Sequence, residues 1–151
     1  MHSHATCHDG TRYVYSLGGL TNKESPVSDC YRLDITNVSD NWSQVLLPIG
    51  GLYSHNLHLA NDWLICVGGV SVSGEQLELQ LVELSTLCIN NIKLPVSLDN
   101  SLRMYFNHTS HILWDGIKEH LKLIIVGGGG NCFSFGTHIN RLISVHDVDL
   151  M

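Results

Sequence analysis

The sequence predicts an all-β protein built from repeated four-stranded units, a segment of a β-propeller, and three observations carry that prediction. The first is a threefold pattern. Tyr13-Val14-Tyr15-Ser16-Leu17 runs into Gly18-Gly19, Trp63-Leu64-Ile65-Cys66-Val67 into Gly68-Gly69, and Leu121 to Val126 into Gly127-Gly128. Each apolar run is too short for an ordinary helix, and its β-branched content suits a buried strand closed by glycines. The second observation is the period: Gly18 to Gly68 is 50 residues and Gly68 to Gly127 is 59. The third is that each period has room for four short strands separated by polar turns, and that combination marks a propeller.

In chain order, each unit opens on a Ser-His or Asn-His pair: Ser3-His4, Ser54-His55 and Asn107-His108. A second histidine follows in the same predicted strand: His8, His58 and His111. The second strand is the apolar run ending in Gly-Gly, where glycine permits a positive φ and close backbone approach. The third alternates: Cys30 to Asp34, Leu79 to Leu84, and Leu142 to His146. The fourth ends in Leu-Pro, at Leu47-Pro48 and Leu94-Pro95. The longer second period is explained by turns. Pro95 to His108 is 13 residues against 7 for Pro48 to His55, and turns absorb insertions that strands do not.

The units therefore cover about 3–48, 54–95 and 107–151, the last stopping after its third strand. Two units and three quarters of another are fewer than the roughly four to eight that close a propeller. The expectation is a fragment of a larger closed propeller with unpaired flanks at both ends.

Composition narrows the function. Apolar residues make up 44% and charged residues 15%, which excludes a disordered tail and fits strands covered on both faces. The net charge is −6, and the eight basic residues are scattered, so this segment alone is a poor electrostatic partner for nucleic acid. Five dispersed cysteines (Cys7, Cys30, Cys66, Cys88 and Cys132) form no tight pair, which points to reduced thiols and a cytoplasmic location. Met1-His2-Ser3-His4 lacks the features of an export signal, and no apolar run is long enough to span a membrane. The sequons at Asn37, Asn41 and Asn107 are then chance matches in polar turns.

His2, His4, Cys7 and His8 form the tightest set of metal-type ligands. Strand alternation would put the three histidines on one face and Cys7 on the other. No cysteine recurs beside His55/His58 or His108/His111, so the expected role is structural, with the histidines packed on the inner strand and donating to backbone carbonyls. Cys132 with His138 suggests a thiolate pair, but no third residue orients the histidine, and a core cysteine is expected. Asp34, Asp147 and Asp149 lie in or after third strands, where a carboxylate accepts turn amides.

One inference reaches toward a ligand. Turns between second and third strands and turns between units leave a propeller on the same face. Gly129 to Thr137 and Pro95 to Phe106 are therefore expected side by side, carrying Arg103, Tyr105, Phe106, Phe133, Phe135 and His138. Such a face could stack an unpaired base; the alternative is that Phe133 and Phe135 plug the ring.

The pattern of His, apolar strand, Gly-Gly, Tyr31-Arg32-Leu33-Asp34, Trp42 and Leu-Pro resembles the kelch repeat over nearly the whole chain. The second unit departs from it, with Leu87-Cys88 where Trp42 stands in the first. The stretch Gly127 to Asn140, GGGGNCFSFGTHIN, goes further. With the Ser-His units it resembles the kelch region of the leucine carboxyl methyltransferase 2 family, also called the tRNA wybutosine-synthesizing protein 4 family. That resemblance implies a parent protein in which an N-terminal S-adenosylmethionine-dependent methyltransferase domain precedes the propeller. The parent would complete the wybutosine base of phenylalanine tRNA by methylation and methoxycarbonylation of its side chain. No catalytic, cofactor-binding or metal residue carries over: Gly127 to Gly130 lacks GxGxxG spacing and precedes Cys132-Phe133-Ser134-Phe135, not a helix. The partners implied are the methyltransferase domain of the parent chain and, through the full-length protein, tRNA. The alternative is a generic kelch interaction module such as a ubiquitin-ligase substrate adaptor.

Overall fold

The computed structural model describes residues 2–37, 39–73, 78–95, 105–115, 119–132, 136–140 and 143–150. The described elements are all strands, and they pair antiparallel. The first sheet holds β1 (Ala5–His8), β2 (Tyr13–Leu17), β3 (Cys30–Asp34) and β4 (Ser43–Val45), side by side in chain order. Its first turn is organised by Asp9, whose carboxylate accepts the amides of Arg12 at 2.7 Å, Thr11 at 2.8 Å and Tyr13 at 3.0 Å. Against a burial cost that raises it, those amides, Arg12 first, draw the Asp9 carboxyl down to about 2.

The second unit begins with a short β5 (Leu52–Tyr53), followed by β6 (Asn56–Ala60), β7 (Trp63–Val67), β8 (Val70–Ser71), β9 (Leu79–Glu83) and β10 (Ile89–Ile92). Strands β6, β7, β9 and β10 form the second sheet in that spatial order, while β5 pairs with β8 outside it. The first unit has a smaller counterpart of the β5–β8 pair in the bridge between His2 and Leu20. In the third unit, β11 (His108–Leu113), β12 (His120–Gly127) and β15 (Ser144–Asp149) make one sheet. Between them β13 (Gly129–Cys132) and β14 (Gly136–Ile139) form a hairpin.

The fourth strands stop short of their Leu-Pro ends, β4 at Val45 and β10 at Ile92. Proline has no amide for the ladder and restricts the residue before it. Leu94 is still buried, with its amide on the Glu78 carboxylate.

The three sheets stack through two cores. Ala5, Tyr15, Leu17 and Cys30 of the first sheet meet Leu57, Leu64, Cys66 and Val82 of the second. On the other side of the second sheet, Ile65, Val67, Leu79 and Leu81 meet Leu121, Leu123, Ile125 and Val148 of the third. Each fully buried aliphatic side chain contributes about 1.5–3 kcal/mol. Because β7 is covered on both faces, its sequence reads as a continuous apolar run, whereas β12 alternates buried and exposed residues. Burial also pushes the thiols up, Cys7 to about 12 and Cys30 to about 11, with Cys66 displaced in the same direction. They pack as small hydrophobes.

Candidate functional site

The glycine pairs are where one unit grips the next. Gly18 and Gly19 have φ of +65° and +103°, and Gly68 and Gly69 have +64° and +97°. A Cβ on Gly18 would lie 2.3 Å from the Leu52 carbonyl oxygen, and one on Gly68 would lie 1.9 Å from that of Tyr105. Only glycine permits both the conformation and the approach. The next glycine completes the joint: the Gly19 amide donates to Leu52 O at 2.7 Å, and the Gly69 amide donates to Tyr105 O at 2.6 Å. The incoming unit repeats its own geometry. Ser3, Ser54 and Asn107, each just before the leading histidine, have φ of +56°, +55° and +50°.

That turn corrects one sequence expectation. Alternation does not run from His2 through His8, because Ser3 breaks it and the strand starts only at Ala5. His2, His4 and His8 are exposed, while Cys7 is partly buried in the core between the first two sheets. A second correction concerns His55. It is 5% exposed and wedged at the joint beside Gly18 and Gly69, yet neither ring nitrogen meets an acceptor among the described residues. Burial, reinforced by His108 and His4, lowers its pKa to about 4. Burial likewise lowers His108 to about 4, with the Val67 carbonyl acting in the opposite direction.

The first strands β1, β6 and β11, each at an edge of its sheet, line a cleft of about 520 Å³. The second histidines of all three units, His8, His58 and His111, reach it together with Thr6 and Asn56. Asn56 ties the second unit to the third: its Nδ2 donates to His108 O at 3.0 Å, and its Oδ1 accepts the Ser110 amide at 3.1 Å. His58 Nε2 and Ser110 Oγ form a hydrogen-bonded pair at 2.7 Å. Burial, with His111 and His108 adding to it, lowers His58 to about 4, so its ring is neutral at physiological pH. The cleft thus offers flat rings and hydrogen-bonding side chains, with no Lys or Arg among its lining residues. The sequence displayed this histidine in every unit, but strand alternation alone does not say that three separate strands bring them to one cleft.

Of the six residues expected on the ligand face, Arg103, Phe133 and Phe135 lie outside the described residues. His138 is placed by backbone register only, opposite Gly130, as Cys132 is opposite Gly136. Tyr105 is 4% exposed and packs in the core between the second and third sheets, so its ring serves the fold there. Phe106 is partly buried, and its carbonyl accepts the Gly129 amide at 3.0 Å. That bond joins the inter-unit segment to the start of the β12–β14 turn region.

The three aspartates each pair with a basic side chain. Asp34 accepts the Thr36 hydroxyl at 2.6 Å and amide at 3.0 Å and pairs with Arg12 at 2.6 Å. Thr36 first, then Arg12, holds its carboxyl below the usual range. Among the described residues, Asp147 and Asp149 do not accept the turn amides the sequence led us to expect. They sit directly across the β12–β15 ladder from Lys122, at 2.7 Å, and from His120. Among the described residues no three His, Cys, Asp or Glu side chains converge as a metal site would require, and no helix is long and apolar enough to cross a membrane.

Comparison with known proteins adds relatives. No family model matches the chain. It is 32% identical over 143 residues to tRNA wybutosine-synthesizing protein 4 of Homo sapiens, an alignment that takes in 92% of this chain. The protein of the same name from Rattus norvegicus matches at 32% over 92% of this chain as well. The chain spans 20% of the length of these curated relatives. Among solved structures, that of YjhT superimposes with a TM-score of 0.58 at 16% identity, covering 84% of this chain and 33% of that one. At that identity the likeness concerns the fold alone.

Proposed function

The chain is related to the tRNA wybutosine-synthesizing protein 4 family, and from that premise we propose that it is the non-catalytic, kelch-type propeller segment of an S-adenosylmethionine-dependent tRNA methyltransferase. The parent protein would finish the wybutosine side chain of phenylalanine tRNA by methylation and methoxycarbonylation. The observation that carries this reading is the 32% identity running through 92% of the chain, across all three repeats. The joints between Gly-Gly and the next Ser-His or Asn-His unit support the propeller part, with blades at about 3–48, 54–95 and 107–151. Catalysis is assigned elsewhere in the parent. Gly127 to Gly130 leads from β12 into the hairpin strand β13 and not into a helix, so the backbone there does not fit a cofactor cradle. The propeller's partners are then the methyltransferase domain of the parent chain and, through the full-length protein, tRNA. The free thiols Cys7, Cys30, Cys66 and Cys88 agree with a cytoplasmic setting.

The test is a transfer assay with methyl-labelled S-adenosylmethionine. Substrate is phenylalanine tRNA from cells lacking the gene. The full-length protein should place label in the wybutosine side chain, and the 151-residue chain should place none. Label in any other nucleoside, or none with the full-length protein, would overturn the reading.

A further inference from the structure

The third unit carries a joint of the same build that no other unit fills among the described residues. Gly127 and Gly128 have φ of +72° and +93°, matching the pairs that receive the second and third units. A Cβ on Gly127 meets no atom within 4 Å, where one on Gly18 or Gly68 meets a carbonyl oxygen. Among the described residues no backbone carbonyl receives the Gly128 amide, although the equivalent amides of Gly19 and Gly69 are both bound. The inner side of this glycine pair is already in place, with Asn140 donating its amide to Gly128 O and its Nδ2 to Gly127 O, both at 2.9 Å.

The sheet face beside this joint matches it. Aligned on the glycines, Val126 occupies the position of Leu17 and Val67, and by ladder register Ile143 and Val145 extend the row that Cys30 begins in the first sheet and Leu79 and Leu81 form in the second. Leu17, Val67, Cys30, Leu79 and Leu81 are 0–2% exposed because another sheet covers them. Val126, Ile143 and Val145 are 40%, 64% and 58% exposed. They make an apolar patch on the outer face of the third sheet, and Leu113, at 52%, lies on the same face beside the Lys122–Asp147 pair.

We propose that this face and the Gly127–Gly128 joint receive a fourth sheet of the same repeat, carried by the same polypeptide. Its chemistry follows from the two filled joints. It must bring a backbone carbonyl to the Gly128 amide, then a residue at positive φ and a histidine, and it must present apolar side chains to Val126, Ile143 and Val145. The same polypeptide suits the requirement better than a second copy docking head to tail, because this chain spans only 20% of the length of its curated relatives. The sides that seat the second and third sheets are apolar: Leu57, Leu64 and Cys66 in one, Leu121, Leu123 and Ile125 in the other. By register, the corresponding side of the first sheet is mixed, with Thr6, His8 and Ser16 beside Val14 and Leu33. This inference rests on the propeller half of the proposed function and not on its tRNA chemistry.

Thiol labelling tests it without reference to activity. Val145→Cys is introduced into the full-length protein and into the 151-residue chain, and labelling by a maleimide is followed by peptide mass mapping. The exposed Cys88 serves as internal standard. In the full-length protein Cys88 should react at least about tenfold faster than the introduced thiol, because a covered site reacts only when it opens. Adding Gly127→Val should bring the introduced thiol up to the Cys88 rate by denying the carbonyl its place. In the 151-residue chain the introduced thiol should react as fast as Cys88 at every concentration. Equal rates in the full-length protein would overturn the proposal, and protection of the short chain that grows with its concentration would give the face to a second copy instead.

Discussion

Replacing Gly68 by alanine should damage the protein far more than the same change at Gly127, although both glycines follow an apolar strand and have nearly the same φ. At Gly68 the new methyl would lie 1.9 Å from Tyr105 O and 2.6 Å from His108 Cε1. Backbone cannot retreat as a side-chain tip can, so the second and third sheets must part at the joint. The left-handed conformation costs a residue with a Cβ about 1–2 kcal/mol. Losing the bond from the Gly69 amide to Tyr105 O removes about 1 kcal/mol, and partial uncovering of the core around Tyr105 removes about 1–2 kcal/mol more. The total is about 3–5 kcal/mol. Gly127→Ala and Gly10→Ala are the controls in the 151-residue chain. Their φ values are +72° and +83° with nothing within 4 Å, so only the backbone cost of about 1–2 kcal/mol applies. Urea unfolding and calorimetry would measure all three. A domain of this size loses about 2–4 °C per kcal/mol, so Gly68→Ala should melt roughly 10 °C lower and the controls about 4 °C lower. Equal losses at the three positions would refute the claim that a carbonyl seated on glycine locks one sheet to the next.

The joint histidines His55 and His108, with His58 in the cleft, make the protein acid-labile. Between pH 6.5 and about 4 the unfolded chain takes up protons that His55, His58 and His108 do not bind when folded, so their contribution is complete above 6.5 and is lost as pH falls toward 4. For His55 alone the loss at pH 5 is about 2 kcal/mol, and urea midpoints that do not change between pH 7 and pH 5 would contradict it. Tyr105→Ala should cost about 3–5 kcal/mol of stability, as truncation of a large buried ring does; melting without a shift would remove the ring from the core. Phe135→Ala, if that ring stacks a base in the full-length protein, should weaken tRNA affinity by about 1–3 kcal/mol with little change in melting, whereas a large melting shift at constant affinity would make it a plug. Calorimetric titration of the 151-residue chain with S-adenosylmethionine should give no saturable heat, and a saturable signal would place cofactor chemistry in this segment.

How much of this was legible beforehand depended on whether a feature is local. Strands β2, β3, β7 and β9 could be read directly, because their apolar runs and alternation are set by burial within each unit. Gly18 and Gly68 were recognisable as tight positions. That each accepts a carbonyl from the following unit was not, since the partner is more than thirty residues away in the chain. The pair of β5 and β8 is illegible for a different reason: two residues per strand leave no periodicity. Tyr105 was expected on an open face because it lies in a long polar connection, and its burial is dictated by the second sheet's Ile65 and Leu81 row, which no local pattern encodes. Asp147 and Asp149 illustrate the limit from the other side. Their alternation was visible, but their partners Lys122 and His120 are supplied by ladder register.

Whether this chain is part of a wybutosine-synthesizing protein is decided by nucleoside mass spectrometry of phenylalanine tRNA from cells in which the gene is deleted. Fully decorated wybutosine should disappear and an undermethylated precursor take its place. The full-length gene should restore it, and its Gly68→Val variant should restore less. Unchanged wybutosine in the deleted cells would contradict the assignment.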